Sequence, residues 1–498
     1  MSTTSTTATR RVAPPAAADS PMLVGGRWTP GALDRWLDVS NPATGEVVGR
    51  TPRADETDVR HAVAAAAAAF PAWRATVPAE RARVLGAIAD DVEAAAEPMA
   101  RLLSTETGNA IRPQTRPEIA SAVALLRYFA GTVGEHKGET VPLGGGLLNY
   151  TLREPLGVVG AIIPWNAPVQ LAAVKIAMAL STGNTMVLKT AEDAPLAVLE
   201  LSRHCARHLP PGVLNVVTGL GEEAGAALLR SDGIAKVSFT GSTRVGRLAM
   251  AEAARRILPV SLELGGKSPA IVFPDADEDD VAAGVVAGMR FTRNGQSCTA
   301  GSRLLVHESI FDSFLDRVRT RVEALVVGDP LAEATDMGTL VNRTQFDKVV
   351  DYVEGGQRDG AEIVTGGLPD PAGPLGQGLY HLPTLMRGVD PSWRIAREEI
   401  FGPVLVAIPW TEEQEAIEMA NDSHFGLAAY VWTHDIGKAL RTAHALEAGW
   451  VQVNRGTGQL PGMSYGGVKQ SGIGREFSLE GALEGFTSRK TITVDTGV

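Results

Sequence analysis

Between residues 157 and 273, short apolar, β-branched runs alternate with stretches of helical periodicity. The runs fall at 157–163, 185–188, 214–217, 236–239, 260–264 and 270–273, and helical stretches at 169–180, 195–208, 222–229 and 244–256 separate the first five. Continuously apolar strands imply burial on both faces, and their alternation with helices predicts a parallel α/β sheet. Its crossovers are expected to be right-handed, with ligands at the carboxyl ends of the strands.

A second α/β section is predicted from about 279 to 454. Its helices fall at 280–290, 310–327, 343–355, 412–421 and 438–446, and its strands at 302–306, 362–364, 427–431 and 451–453. Upstream, an Ala-rich helical pattern is expected to stop at Pro71, and further helices are predicted over 79–105 and 117–131. The Thr-, Ile- and Val-rich segment 490–494 predicts a strand with no neighbour in sequence. Such a strand either completes another subunit's sheet or forms an edge in its own.

Composition narrows the function classes. The chain has 498 residues, long enough for two or three domains, and with 44% hydrophobic and 21% charged positions it is expected to be globular. A net charge of −11 argues against general nucleic-acid binding. Two cysteines, Cys205 and Cys298, exclude a disulfide framework or a Cys-rich zinc module. The most apolar stretch, 156–180, is interrupted by Pro164, Asn166, Pro168, Gln170 and Lys175, so no membrane span is expected. Residues 1–21 carry no secretory core and read as a tail without fixed structure. A cytoplasmic location follows as the expectation, with no metal site.

Five segments carry candidate chemistry. Cys298 ends the polar loop FTRNGQSC, where a thiol has little packing role and backbone amides favour a thiolate or an oxyanion. Cys205 sits among apolar helix residues and is assigned to packing. Glu263, in SLELGGKSP, ends a buried strand, where a carboxylate is costly unless solvated, used or paired with a base such as Lys267. Asn166, between the prolines of PWNAP, is either an oxyanion donor or a turn cap. FTGSTRVG follows a strand and opens a helix, an anion-binding arrangement without the GxGxxG fingerprint. Lys189 and Glu192, in LKTAE, stand where an acid would hold a ribose diol, or are an exposed turn pair.

PWNAP, LKTAEDAP, FTGSTRVG, LELGGKSP, GQSC, EEIFGPV and GREFS occur in this order. The constellation resembles the NAD(P)-dependent aldehyde dehydrogenase superfamily, hydrolytic type, from about residue 23 to 494. The resemblance implies a Rossmann-like dinucleotide-binding domain (22–132 and 153–262), an α/β catalytic domain (263–465) and a small β oligomerisation element (133–152 and 480–498), assembled as a homodimer or homotetramer. It implies that Cys298 attacks the aldehyde, that Asn166 and the Cys298 backbone N–H hold the oxyanion, and that Glu263 activates the water that hydrolyses the thioester. Lys175 and Glu476 match positions linked to proton relay and site architecture. Cofactor contacts carried over are Ile162, Ile163, Pro164, Trp165, Lys189, Glu192, Gly221, Gly225, Phe239, Thr240, Gly241, Ser242, Val245, Leu264, Gly265, Glu399 and Phe401. Glu192 favours NAD over NADP, because a carboxylate accepts from a ribose 2′-hydroxyl and repels a 2′-phosphate.

Several positions depart from the commonest pattern. Ala167 follows the oxyanion Asn where Phe is frequent, Val174 replaces an aromatic, Arg293 replaces an Asn, and LPGMS precedes Tyr465 where relatives carry aromatics and then Pro-Phe. Small residues on the pocket helix predict a wide tunnel for a bulky apolar or aromatic aldehyde. The expected lining is Ala167, Gln170, Leu171, Val174, Ser297, Thr299, Leu460, Met463 and Tyr465. The alternatives are a semialdehyde whose carboxylate pairs with Arg293 or Arg455, a coenzyme A-acylating enzyme, and a catalytically silent relative.

Overall fold

The computed structural model describes residues 18–497. Two large sheets organise them. The first has eight strands in the order Gly472–Ile473, Val260–Glu263, Lys236–Thr240, Val158–Ile162, Thr185–Lys189, Leu214–Val217, Met22–Val24 and Arg27–Thr29. Its five central strands are mutually parallel, and every residue of all but Val260–Glu263 is buried. Burial on both faces is why these segments read as predominantly apolar and β-branched runs. The chain steps outward on one side from 158–162 to 185–189 and 214–217, then returns to build 236–240 and 260–263 on the other side. Strand order therefore reverses between 158–162 and 236–240, where a crevice opens beyond the carboxyl ends.

The second sheet has seven strands, ordered Glu362–Gly367, Leu382–Arg387, Val404–Trp410, Arg303–His307, Pro269–Val272, Ala428–Trp432 and Trp450–Val453. All neighbours are parallel except the first pair. The strand predicted at 270–273 thus belongs here and not to the first sheet.

The helix Pro168–Ser181 is buried on nearly every side, which accounts for the apolar run at 156–180 as a core helix. Among the described residues, no helix is long and apolar enough to cross a membrane.

Local expectations fail at three places, and one open alternative is decided. The first helix, Glu56–Ala75, runs through Pro71. Proline removes one hydrogen bond, but Trp73 is buried in the core and anchors the last turn. The helix predicted over 79–105 is two, Pro78–Ala94 and Ala96–Thr107. Pro98 has no N–H to offer the preceding turn, so it sits in the first turn of a new helix. Of the tail assigned to 1–21, residues 1–17 lie outside the described residues. Residues 18–21 do not behave as a tail, because Ala18–Asp19 pairs in parallel with Val47–Pro52 and Asp19 meets Arg50 at 2.8 Å. The C-terminal strand Thr487–Asp495 finds its partner within the chain, antiparallel to Leu147–Pro155 with Lys490 opposite Leu152. Thr140–Pro142 completes that three-stranded sheet.

Candidate active site

The crevice at the strand-order reversal collects the ends of three strands. Beyond 158–162 the chain turns through Pro164-Trp165-Asn166-Ala167, and Pro168 starts the next helix at a position where its missing N–H is harmless. Glu118 Oε1 accepts from the Val169 and Gln170 N–H groups at 3.1 and 3.4 Å, capping that helix. Beyond 236–240, Ser242 caps the helix Thr243–Arg255 by accepting from the Val245 N–H at 3.4 Å. Beyond 260–263 comes Leu264-Gly265-Gly266. A Cβ at Gly265 would lie 2.3 Å from Glu399 Oε2, and one at Gly266 would lie 2.3 Å from the Cys298 carbonyl oxygen. The two glycines let the second sheet's loops press against the strand end.

These ends enclose a cavity of about 260 Å³. Pro164, Trp165, Asn166, Ala167, Gln170, Leu171, Thr240, Gly241, Ser242, Glu263, Leu264, Gly265, Ser297, Cys298, Glu399, Phe401, Tyr465 and Glu476 all line it. A neighbouring cleft of about 690 Å³ is lined by Ile162, Glu192, Gly221, Gly225, Phe239 and Val245. Phe239 lines the cleft and Thr240 the cavity, so the strand 236–240 borders both.

Cys298 is half-buried, and its Sγ lies 3.4 Å from the Tyr465 hydroxyl. The short turn Phe291–Arg293 ahead of it is bounded by two left-handed non-glycine residues, Arg290 (φ 62°) and Asn294 (φ 55°), the second tied through its side-chain N–H to Asn109 Oδ1 at 3.2 Å. Burial pushes the thiol up to about 11, aided by the charges of Glu399 and Glu263, while Tyr465 and Arg293 pull it down. Asn166 Nδ2 donates to the Gln296 carbonyl at 2.9 Å. The amide is therefore anchored to the Cys298 loop and keeps a second N–H.

Glu263 is buried, and neither carboxylate oxygen has a hydrogen-bond partner among the described residues. Burial, then the Glu476 carboxylate, raise its carboxyl well above the usual range, against Lys175 and Arg475. The Lys267 pairing is absent: Lys267 Nζ also lacks a hydrogen-bond partner among the described residues, and burial lowers its ammonium to about 7. Glu476 is held instead by Lys175 at 2.6 Å in a fully buried ion pair, and Lys175 also donates to Ser238 Oγ at 2.9 Å. Glu399 Oε1 accepts from the Gly266 N–H at 3.0 Å, and Phe401 meets Trp165 edge-to-face with ring centres 5.3 Å apart.

A thiol, an amide with a spare N–H and an unpaired carboxyl thus line one cavity beside a larger cleft. The profile described as "Aldehyde dehydrogenase family" matches residues 28–492. The chain belongs to the aldehyde dehydrogenase family. It is 42% identical to phenylacetaldehyde dehydrogenase of Pseudomonas fluorescens over 483 residues, covering 95% of each chain. It is also 42% identical to hydroxyisobutyraldehyde dehydrogenase of Mycolicibacterium austroafricanum over 490 residues, covering 98% of this chain and 95% of the relative. An NAD+ complex of an aldehyde dehydrogenase from Bacillus cereus superposes with a TM-score of 0.92 at 37% identity, covering 96% of each chain.

Some expected positions of this aldehyde dehydrogenase fall elsewhere. Val174 shares a helix face with Gln170 and Leu171 but is one turn deeper, wholly inside the core. Leu460 is 53% exposed, and Met463 packs against the core outside the cavity lining. The Thr299 side chain is buried against Ser297, its Oγ1 3.2 Å from Ser297 Oγ, and its carbonyl accepts from Tyr430. Ile163 and Lys189 are buried at the strand ends, outside both lining sets. Lys189 is not part of an exposed turn pair: it is 2% exposed and bonds Glu192 at 2.9 Å. Arg455 is exposed and outside the cavity lining, whereas Arg293 lines it.

Gln345 and Lys348 also line the cavity and escaped the sequence reading. Lys348 donates to the Glu399 carbonyl at 3.0 Å, and Gln345 to the Phe401 carbonyl at 2.7 Å. Both sit on the helix Arg343–Asp359, far upstream of the residues they touch. Polar residues on a half-exposed helix carry no local mark of this role.

Proposed function

We propose that this aldehyde dehydrogenase oxidises bulky apolar or aromatic aldehydes to carboxylic acids, using NAD and covalent intermediates on Cys298. The observation that carries the reading is the cavity itself. Cys298 opens into a space bordered by Trp165, Leu171, Tyr465 and Phe477, with only Ala167 beside the oxyanion donor. Most of the exposed wall of this cavity is apolar, although charged and amide side chains also line it, and that apolar part suits an apolar ligand. The relative named for phenylacetaldehyde supports the same class.

The residues divide the work. The Cys298 sulfur bonds to the aldehyde carbon as the carbonyl π bond breaks onto oxygen. The free Asn166 N–H and the Cys298 backbone N–H receive that oxygen's charge. After oxidation the carbon remains on sulfur as a thioester. Glu263, unpaired and buried, takes a proton from the water that cleaves it, which favours hydrolysis over acyl transfer to coenzyme A. The cleft fits a dinucleotide: Glu192 and Gly225 line it, and the capped start of the helix 243–255 presents N–H groups to an anion. NAD, when bound, supplies the hydride acceptor.

A panel of aldehydes assayed with NAD tests the substrate class. Benzaldehyde, phenylacetaldehyde and long-chain aldehydes are expected to exceed acetaldehyde in kcat/KM. A semialdehyde as the best substrate would overturn the reading. What counts against that alternative is that Arg293 feels the charge of Glu118 and that, with the Gln114 amide turned to bring its oxygen to Arg293, this oxygen accepts from Arg293 Nε at 2.9 Å.

Glu192 sets a second expectation. Burial would raise its carboxyl, but Lys189 and the Gly221 N–H outweigh burial and leave it below its ordinary value, hence ionised at neutral pH. NAD is expected to exceed NADP by at least about tenfold in kcat/KM, and Glu192→Gln to narrow that ratio. Equal efficiency with both cofactors would remove the argument. The three-stranded sheet leaves Val141, Leu147, Leu148, Leu152 and Val494 exposed, which supports its proposed use as the contact of a homodimer or homotetramer.

A further inference from the structure

We propose that the Tyr465 phenol is a catalytic hydrogen-bond donor to the Cys298 sulfur, stabilising the thiolate as it forms and fixing its aim into the cavity. The inference rests on Cys298 being the nucleophile.

The contact is direct, with 3.4 Å between hydroxyl oxygen and sulfur. The ring cannot drift. It is buried, packs edge-on against Trp450 at 5.9 Å and Phe477 at 5.4 Å, and its backbone exchanges two hydrogen bonds with Glu476 at 3.1 and 2.7 Å.

Chemistry decides which atom donates. Burial, then the negative charges of Cys298 and Glu263, raise the phenol well above its ordinary range, so it keeps its proton. Once the sulfur ionises it has no proton to give, so in that state the O–H points to sulfur and not the reverse. The donor also answers a need. Burial and two carboxylates oppose the thiolate, and no histidine lines the cavity. Tyr465 is the side chain in hydrogen-bond contact with the sulfur, with Arg293 acting through its charge.

The test is the pH dependence of Cys298 alkylation by iodoacetamide, read by peptide mass on the full-length enzyme and on Tyr465→Phe. Phenylalanine keeps the ring and removes only the hydroxyl, so a retained melting transition confirms the fold. Losing the donor is expected to raise the inflection by about one pH unit. Below it the rate is expected to fall about threefold, less than the loss of thiolate, because a more basic sulfur is intrinsically more reactive. The value of kcat/KM is expected to fall in parallel, with KM little changed. A ring-fluorinated tyrosine at 465, a stronger acid of nearly the same shape, is expected to move the inflection the other way. Superimposable profiles, or an effect confined to KM, would overturn the proposal. Failure of the nucleophile reading itself shows separately, as turnover that survives Cys298→Ala.

Discussion

Replacing Cys298 with alanine is expected to lower NAD-dependent aldehyde oxidation by at least about 10³-fold. The size follows from the absence of a substitute. Cys205 lies in the helix Leu196–Ala206, fully buried, its thiol pushed up to about 12 by burial. Ser297 Oγ lies within hydrogen-bond reach of Thr299 Oγ1. The mutation removes one sulfur from a cavity wall, so the fold and NAD binding should persist. The measurement is NADH absorbance on adding aldehyde, with and without coenzyme A, beside calorimetric titration of NAD. Turnover within about tenfold of the parent would exclude covalent catalysis at this position.

Glu263→Gln should separate the two halves of the reaction. A first burst of about one NADH per subunit is expected to survive, while steady turnover drops by about 10² to 10⁴-fold. Glutamine has the same shape but takes no proton from water, so the acyl group stays on sulfur. The pH dependence has a definite sign. Burial raises the Glu263 carboxyl, so it is protonated and inactive as a base on the acid side. Thioester hydrolysis should therefore rise with pH through that raised value, and the variant should lose this limb. Loss of the burst itself would mean that Glu263 also deprotonates the thiol.

Much of the site was legible because its signals are local. A cysteine in a polar loop, a glutamate ending a buried strand and an asparagine between prolines each break the pattern around them. The strand runs at 158–162, 185–189, 214–217, 236–240 and 260–263 were equally plain, since burial on both faces demands predominantly apolar sequence. Pocket depth was not legible. Val174 has the right helical spacing from Gln170 and Leu171 but lies below the cavity floor, because periodicity gives a side and no height. Leu460 fails for the converse reason: its loop exposes it to solvent.

Pairing across long sequence separations was hidden too. Lys348 and Gln345 reach the 399–401 turn, and Tyr465 reaches the sulfur of Cys298, only after two sheets have docked. The C-terminal strand shows the same limit, since its partner at 147–155 lies at the other end of the chain.

The amino-acid order alone determined the five parallel strands of the first sheet, which residues are chemically out of place, and which family they resemble. Those features depend on neighbours a few bonds away. Tertiary packing alone decided that Glu263 is unpaired, that Arg293 lies in the field of Glu118 beside the Gln114 amide, and that a phenol meets the Cys298 sulfur. Each of these depends on distance and burial between segments well over a hundred residues apart, and only the folded chain sets those.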